Sequence, residues 1–484
     1  MTDAARGRVV GALIVKELRE VLRDGRYRLL VLAMLGLVLV TLGFSHREAE
    51  RLRAERAAAQ QVADEHFVDQ GAKNPHVAAH YGTYVFKPSD PLAAINPGVD
   101  AFVGVSLKLE AHKRNAMQGA RARDGTALSR FSRLSVSSVI ELLLPLLIIA
   151  LGYGSWSAER EQGTLRQVAS LGVPPSRMLL GKALALALVT LSVLLPAALC
   201  VVLFYWLGSG AGELAAGSAA RLGTLLGAYV VYCSVWLLLT LWVSAKAASS
   251  RSALVALLAL WVVTSLIVPR LATDVAMSWA RVPSHAEMSE QVRASLADGL
   301  PGGEDRETRV SALSQSLLEQ QGFAGAEGLM DDSLLSGIEL QAEALFENEA
   351  LDFHFSRYEA QLRRQEQAAQ LVGALSPLLS VRAVGMSLAG TDAAHHRRFA
   401  QHAELHRRSL VAVLNREFAE RGGSAGFSYQ AGREVWEKAP KFDYQAPPLG
   451  VALHSQLIAL AALGGWLLVC LYMSLRGARG ISVI

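Results

Sequence analysis

The sequence predicts an all-α membrane protein with six transmembrane helices, an N-terminal interfacial elbow helix and two mainly helical extracytoplasmic inserts. Three observations lead there. Hydrophobic residues make up 52% of the chain and charged ones only 19%, a balance that favours a membrane protein over a soluble one. Six apolar blocks are each long enough, at about 17 residues or more, to cross a bilayer core of about 30 Å. Lys and Arg beside those blocks fall on one side of the resulting topology.

Taken in order, residues 1–26 form the elbow. Val10, Leu13, Ile14, Leu18, Val21 and Leu22 make an apolar stripe, with Lys16, Glu17, Arg19, Glu20 and Arg23 opposite. Such a helix lies in the membrane interface rather than crossing it. Neither a short n-region nor a small-residue cleavage site stands out, so a cleavable leader is not expected. Asp24-Gly25 breaks the pattern before span one, residues 27–44. Insert one covers 45–135: an Ala-rich, charge-laced helix from His46 to Phe67, then an irregular region punctuated by Asn74-Pro75, Lys87-Pro88, Asp90-Pro91 and Asn96-Pro97. Span two covers 136–154, with Pro145 as a kink, and a polar loop occupies 155–177. Spans three (178–207), four (222–243) and five (253–269) follow, joined by a Gly-rich turn at 208–217 and the short link Ser244 to Ser252.

Insert two covers 270–450 and reads as helical. Ser284 and Glu287 make a capping box, Gly299 closes that helix, and Val310, Leu313 and Leu317 mark the next. A long helix begins near Leu334 and is interrupted at Ser376-Pro377. Thr391 or Asp392 caps another, which ends near Gly422-Gly423. Span six covers 451–474 and finishes with Arg476 and Arg479. With an even number of spans, the basic N-terminus, the 155–177 loop, the short link and the tail share one side. That side is expected to be the cytoplasm, with both inserts outside.

The 155–177 loop is the most punctuated stretch of the chain. Gly163 and Thr164 suit a helix start, with the Thr164 hydroxyl available to cap free N–H groups. Leu165, Val168 and Leu171 repeat at helical spacing, and Gly172 with Pro174-Pro175 ends the pattern. Ser176 can cap the next helix. Spacing alone leaves two readings open, a connector and a short helix received by a partner surface. Glu159-x-Glu161-x-Gly163-Thr164-Leu165, followed by Pro-x-Ser-Arg and Gly181-Lys182, resembles the cytoplasmic loop of ABC-2 permeases, the type-2 ABC exporters. The elbow resembles theirs too, through the Lys-Glu-Leu-Arg type motif at Lys16 to Arg19. The large insert between spans five and six is similar to that of a bacterial subfamily. The resemblance implies an ATPase-docking role for Glu159, Glu161, Gly163, Thr164, Leu165, Val168 and Leu171. It also implies a separate ABC ATPase subunit that handles ATP and magnesium, a second permease subunit, and a bacterial inner-membrane location with both termini cytoplasmic.

The chemistry of an enzyme is not in evidence. No Gly-x-x-x-x-Gly-Lys-Ser/Thr occurs, and Gly181-Lys182 opens a membrane helix. Gly422-x-Ser424-x-Gly426 follows a helix, where the hydrolase elbow joins a strand to one. No cofactor is expected in this chain. The net charge of +4 is too small to indicate nucleic acid. Cys200, Cys233 and Cys470 all lie in apolar blocks, so no disulfide framework is expected. All twelve histidines lie in or beside the inserts. His395, His402 and His406 share a helical face, and His76 and His80 are four apart, a spacing that can bind zinc or copper. The flanking Arg397, Arg398, Arg407 and Arg408 oppose a cation, so a packed or solvated face without metal is expected. Glu141, the one acid in a span, is either a functional group or, near the outer end, a solvated carboxylate, which is the expectation. Two functions fit: an exporter permease, or an ATP-driven mechanical device acting on an envelope partner without moving a solute.

Overall fold

The computed structural model describes residues 3–124, 134–208, 216–320 and 332–479. Helix α1 (Asp3–Arg23) is the elbow, and α2 (Gly25–Val68) follows at once. Asp24 divides them by accepting the Arg26 N–H at 3.0 Å, which caps α2. Beyond its apolar half, α2 continues unbroken as the charge-laced helix of insert one.

Insert one continues with α3 (Pro75–Tyr81), β1 (Thr83–Phe86), α4 (Asp100–Val103), β2 (Ser106–Glu110), β3 (Lys113–Arg114) and α5 (Arg121–Asp124). The three strands form an antiparallel sheet in the order β1-β2-β3, with Thr83 opposite Leu109 and Phe86 opposite Ser106. The irregular loop expected here is therefore partly a sheet. Its strands are too short for alternation to stand out in sequence. Packing reveals them, because Val85, Leu107 and Leu109 are buried with Phe399 and Ala403.

Span two is α6 (Val136–Gly152), which carries Pro145 within it. The loop helices α7 (Ser157–Glu161) and α8 (Thr164–Ser170) lead to span three, α9 (Pro175–Gly208). The Gly-rich turn expected next lies, at 209–215, outside the described residues. Span four is α10 (Ala216–Lys246). Span five is α11 (Ser250–Val262) and α12 (Val268–Trp279), joined by the π-helical turn Val263–Ile267. It extends to Trp279, beyond the expected end at 269. Pro269 follows this turn directly, and the π-helical widening falls where its missing N–H and its ring would disturb a regular helix.

Insert two contains α13 (His285–Asp298), α14 (Arg306–Gln320), α15 (Asp332–Gly373), α16 (Pro377–Leu388), α17 (Ala393–Arg421) and α18 (Arg433–Lys438). Both bonds of the Ser284–Glu287 capping box are present. Asp392 caps α17, while the Thr391 hydroxyl donates to the Asn96 carbonyl at 2.9 Å. Helix α16 departs from expectation. Although its sequence lies in the middle of insert two, Leu378, Val381, Val384 and Leu388 are buried in the core that spans two to four share. At 12 residues it is too short to read as a span; its apolar character is satisfied by the bundle instead. Ser376 caps it and donates to the Thr264 carbonyl in the π-helical turn at 2.6 Å.

The last span is also broken, into α19 (Leu449–His454) and α20 (Leu457–Arg479), where one helix over 451–474 is expected. Gln456 lies buried at the break and donates to Asp392 Oδ2 at 3.2 Å. A pure apolar pattern does not show this interruption. Among the described residues, six helices are long and apolar enough to cross a membrane. Leu29, Leu32, Leu195 and Leu468 point outward from them, which suits lipid or another subunit. At the other end a second core, including Ala78, Ala79, Leu414 and Trp436, joins the two inserts.

Candidate functional site

The 155–177 loop folds against four helices, and its charged and polar residues make the joints. Span two ends at Gly152, where a β-carbon would stand 2.8 Å from both Leu186 and Thr240, so spans two, three and four converge closely. Trp156 then turns inward and is fully buried. The Ser244 hydroxyl oxygen, at the end of α10, accepts the N–H groups of Trp156 and Ser157 at 3.0 and 3.2 Å. It thereby satisfies free donors at the start of α7.

Glu159 is only 8% exposed. It meets Lys182 of α9 at 2.8 Å and Lys16 of the elbow. Lys182 also reaches Glu17 at 2.7 Å and lies over the Trp156 ring, 5.3 Å from its centroid. Two lysines and two carboxylates thus neutralise one another between α1, α7 and α9, with Glu17, Glu159 and Lys182 buried and Lys16 about one-third exposed at the edge. Burial opposes the Lys16 charge, but Glu159 and Glu17 hold its pKa above the usual lysine value. Gly181 permits this approach: a β-carbon there would be 2.7 Å from Leu13 Cβ.

The next two residues reach the short link between spans four and five. Arg160 donates to the carbonyls of Ala247 at 2.6 Å and Ala245 at 2.7 Å, completing the C-terminus of α10. Glu161 accepts the Ser250 N–H at 3.0 Å and its hydroxyl at 2.7 Å, at the start of α11.

Gly163, at φ 73°, holds the capping position of α8, a left-handed conformation that favours glycine. The cap expected from Thr164 is therefore not made; its hydroxyl donates to the Glu159 carbonyl at 3.3 Å. Nor does Ser176 cap α9, which begins at Pro175. The three apolar positions of α8 do not share a free face. Leu165 is 3% exposed in the chain's own core, Val168 packs partly against it, and Leu171 is 80% exposed. The outer surface of the loop is Arg166, Gln167, Ser170 and Leu171. Lys16, Glu17, Lys182, Arg160 and Ser244 were not singled out as site residues. A lysine one turn inside an apolar span was the available signal, since a charge there needs a partner.

Glu141 is 1% exposed and accepts a bond from Arg382 Nε at 2.9 Å. The expected solvated carboxylate is thus a buried partner of α16, brought there because α16 enters the bundle. On α17, His395 bonds Asp392 at 2.5 Å, His402 packs edge-on to Tyr444 and His406 to Phe442. These three hold an aromatic and polar face.

A family model described as ABC-2 family transporter protein matches residues 12–476. The chain belongs to the ABC-2 family of transporter proteins. It is a multi-pass membrane protein and a permease component of an ABC transporter. The match begins in the elbow and ends in α20, so the ABC-2 region includes the whole ion-paired joint and both inserts. No curated protein matches the chain.

Proposed function

We propose that this chain is the membrane subunit of an exporter in a bacterial inner membrane, driven by a separate ATPase that docks on the outer surface of α8. Both termini are cytoplasmic in this reading, and two such subunits, identical or paralogous, form the transporter. ATP and magnesium belong to the ATPase, and this chain hydrolyses nothing itself.

One observation carries the reading: α7, the helix that leads into α8, is fastened to four other helices. Glu159 links it to α1 through Lys16 and to α9 through Lys182, Arg160 links it to α10 and Glu161 to α11. A push on the loop is passed to spans three, four and five together, through contiguous ion pairs and hydrogen bonds. Of the docking set, Leu171 meets the ATPase, together with Arg166 and Gln167 from outside the set, whereas Glu159, Glu161 and Leu165 hold the loop in place.

A specific feature favours the second reading, a mechanical device acting on an envelope partner without moving a solute. Helix α16 belongs in sequence to insert two yet packs among the spans, so movement of the bundle reaches the inserts directly.

Replacing Leu171 by Asp tests the docking. The side chain is exposed, so the permease should keep its melting temperature and membrane insertion. Co-purification of the ATPase and the permease-dependent part of its activity should both be lost. Survival of both would remove the docking role from this surface.

A further inference from the structure

Three histidines of insert one meet where it faces insert two. His76 and His80 lie one turn apart on α3, and His112 stands at the β2–β3 turn. One ring nitrogen from each falls within 4.8 Å of the others, and His76 Nε2 is 3.1 Å from His80 Nε2. Zinc–nitrogen bonds of about 2.0–2.1 Å in tetrahedral geometry separate neighbouring ligand nitrogens by roughly 3.3 Å. The α3 pair is already at that spacing.

The outward nitrogens are occupied. His76 Nδ1 bonds the Asn415 side-chain oxygen at 3.0 Å, and His112 Nδ1 bonds the Glu347 carboxylate at 2.6 Å. Both partners come from insert two. Metal-bound histidines are oriented this way, with the far N–H fixed by an oxygen so that the other nitrogen faces the ion. His112 is held at φ 62°, the only non-glycine positive φ among the described residues. A strained backbone marks a position that its surroundings dictate.

Arg407 disfavours positive charge at His112, but Glu347 and Glu343 act the other way, and Arg407 is itself engaged by Glu404 at 2.8 Å and Asn348 at 2.7 Å. Glu347 adds a negative charge beside His112.

We propose that His76, His80 and His112 bind a divalent late transition-metal ion, with zinc the ion best matched to three imidazoles and one open position. The ion ties insert one to insert two through Asn415 and Glu347. The expectation of no metal covered the His76–His80 pair as well; it was argued from the arginines that flank His395, His402 and His406 and did not take His112 into account.

The test uses the full-length protein, purified in detergent, stripped with EDTA and dialysed against zinc alone. Elemental analysis should find one zinc per chain, and zinc should raise the melting temperature. His80 is exposed, so His80→Ala removes a ligand without emptying a core; it should lose the bound zinc and the thermal shift. Glu347→Gln should weaken zinc binding about 10–100-fold, the usual effect of removing such a support. His402→Ala should bind as the natural protein does. Absence of stoichiometric zinc in the unsubstituted protein would overturn the proposal, as would equal binding by His80→Ala.

Discussion

Lys182 shows how much one side chain can hold at the elbow end. It is buried between Glu17 and Glu159, which come from two different elements. Lys182→Met leaves those carboxylates short of a partner, and breaking a buried pair costs about 3–5 kcal/mol. The purified protein should melt at a clearly lower temperature, and adding Glu159→Gln should recover part of the loss. Additive effects of the two changes would mean that the pair is not coupled. In the inserts the titratable residues set a pH dependence. His354, His396 and His406 have pKa values below the usual 6.5 because burial disfavours the imidazolium. For His396, Lys87 adds to this effect and Asp100 and Asp392 oppose it. Below pH 6.5 the unfolded chain takes up protons that these folded groups refuse, so stability falls as pH decreases. Asp100 behaves differently. Burial works against its charge, but His396 and Lys87 hold its pKa at about 2. Its contribution is complete above the unfolded value of 3.8 and is lost as pH falls through about 2. Melting of the protein should therefore move to lower temperature between pH 7 and about pH 5; an unchanged midpoint would contradict the assignment.

At the scale of elements, the elbow and span three depend on one glycine. Gly181→Ala places a methyl group 2.7 Å from Leu13 Cβ, an atom next to the backbone that cannot swing away. Overpacking of this kind costs typically about 1–3 kcal/mol. The expected result is a lower melting temperature and faster proteolysis within α1, and neither is expected for Gly217→Ala, which has open space around it. Helix α8 gives the complementary case. Leu165 is buried in the chain's own core, and removing such a side chain from its apolar surroundings forfeits about 1.5–3 kcal/mol. Leu165→Asp adds a carboxylate with no partner, so it should destabilise the permease as well as weaken docking. Leu171→Asp should affect docking alone. If both variants melt like the unsubstituted protein, Leu165 does not have the anchoring role assigned to it.

For the whole molecule, the ion-paired joint and the inserts lie at opposite ends of the bundle, and the proposed topology, which the distribution of Lys and Arg favours, puts the joint in the cytoplasm. Glu304→Cys and Gln167→Cys, both at exposed positions, test this. In intact cells a membrane-impermeant thiol reagent should label the first and spare the second until the membrane is opened. The reverse pattern would invert the topology. The three native cysteines are buried or half-buried in the spans and should give little background.

What the sequence by itself determined is local. The spans follow from apolar length, the capping box at Ser284 and the Asp392 cap from residue type, and the ends of α8 from Gly163 and Gly172. Each depends on residues within one or two turns, so their chemistry can be read in order along the chain. The motif of the 155–177 loop was legible as well, but not the direction in which its side chains face. Only the tertiary structure turned Glu159 and Leu165 inward, because Lys16, the partner of Glu159, lies 143 positions away in sequence. The same holds for Glu141 and Arg382, separated by 241 positions, and for His112, which joins α3 only through the sheet. Helix α16 was hidden for a related reason. An apolar segment too short to span a bilayer looks like any amphipathic piece of an insert until neighbouring spans supply the surface that buries it. Pairings between distant segments are decided by which faces remain to be covered once the helices have formed, and that information is not carried by any single stretch of the chain.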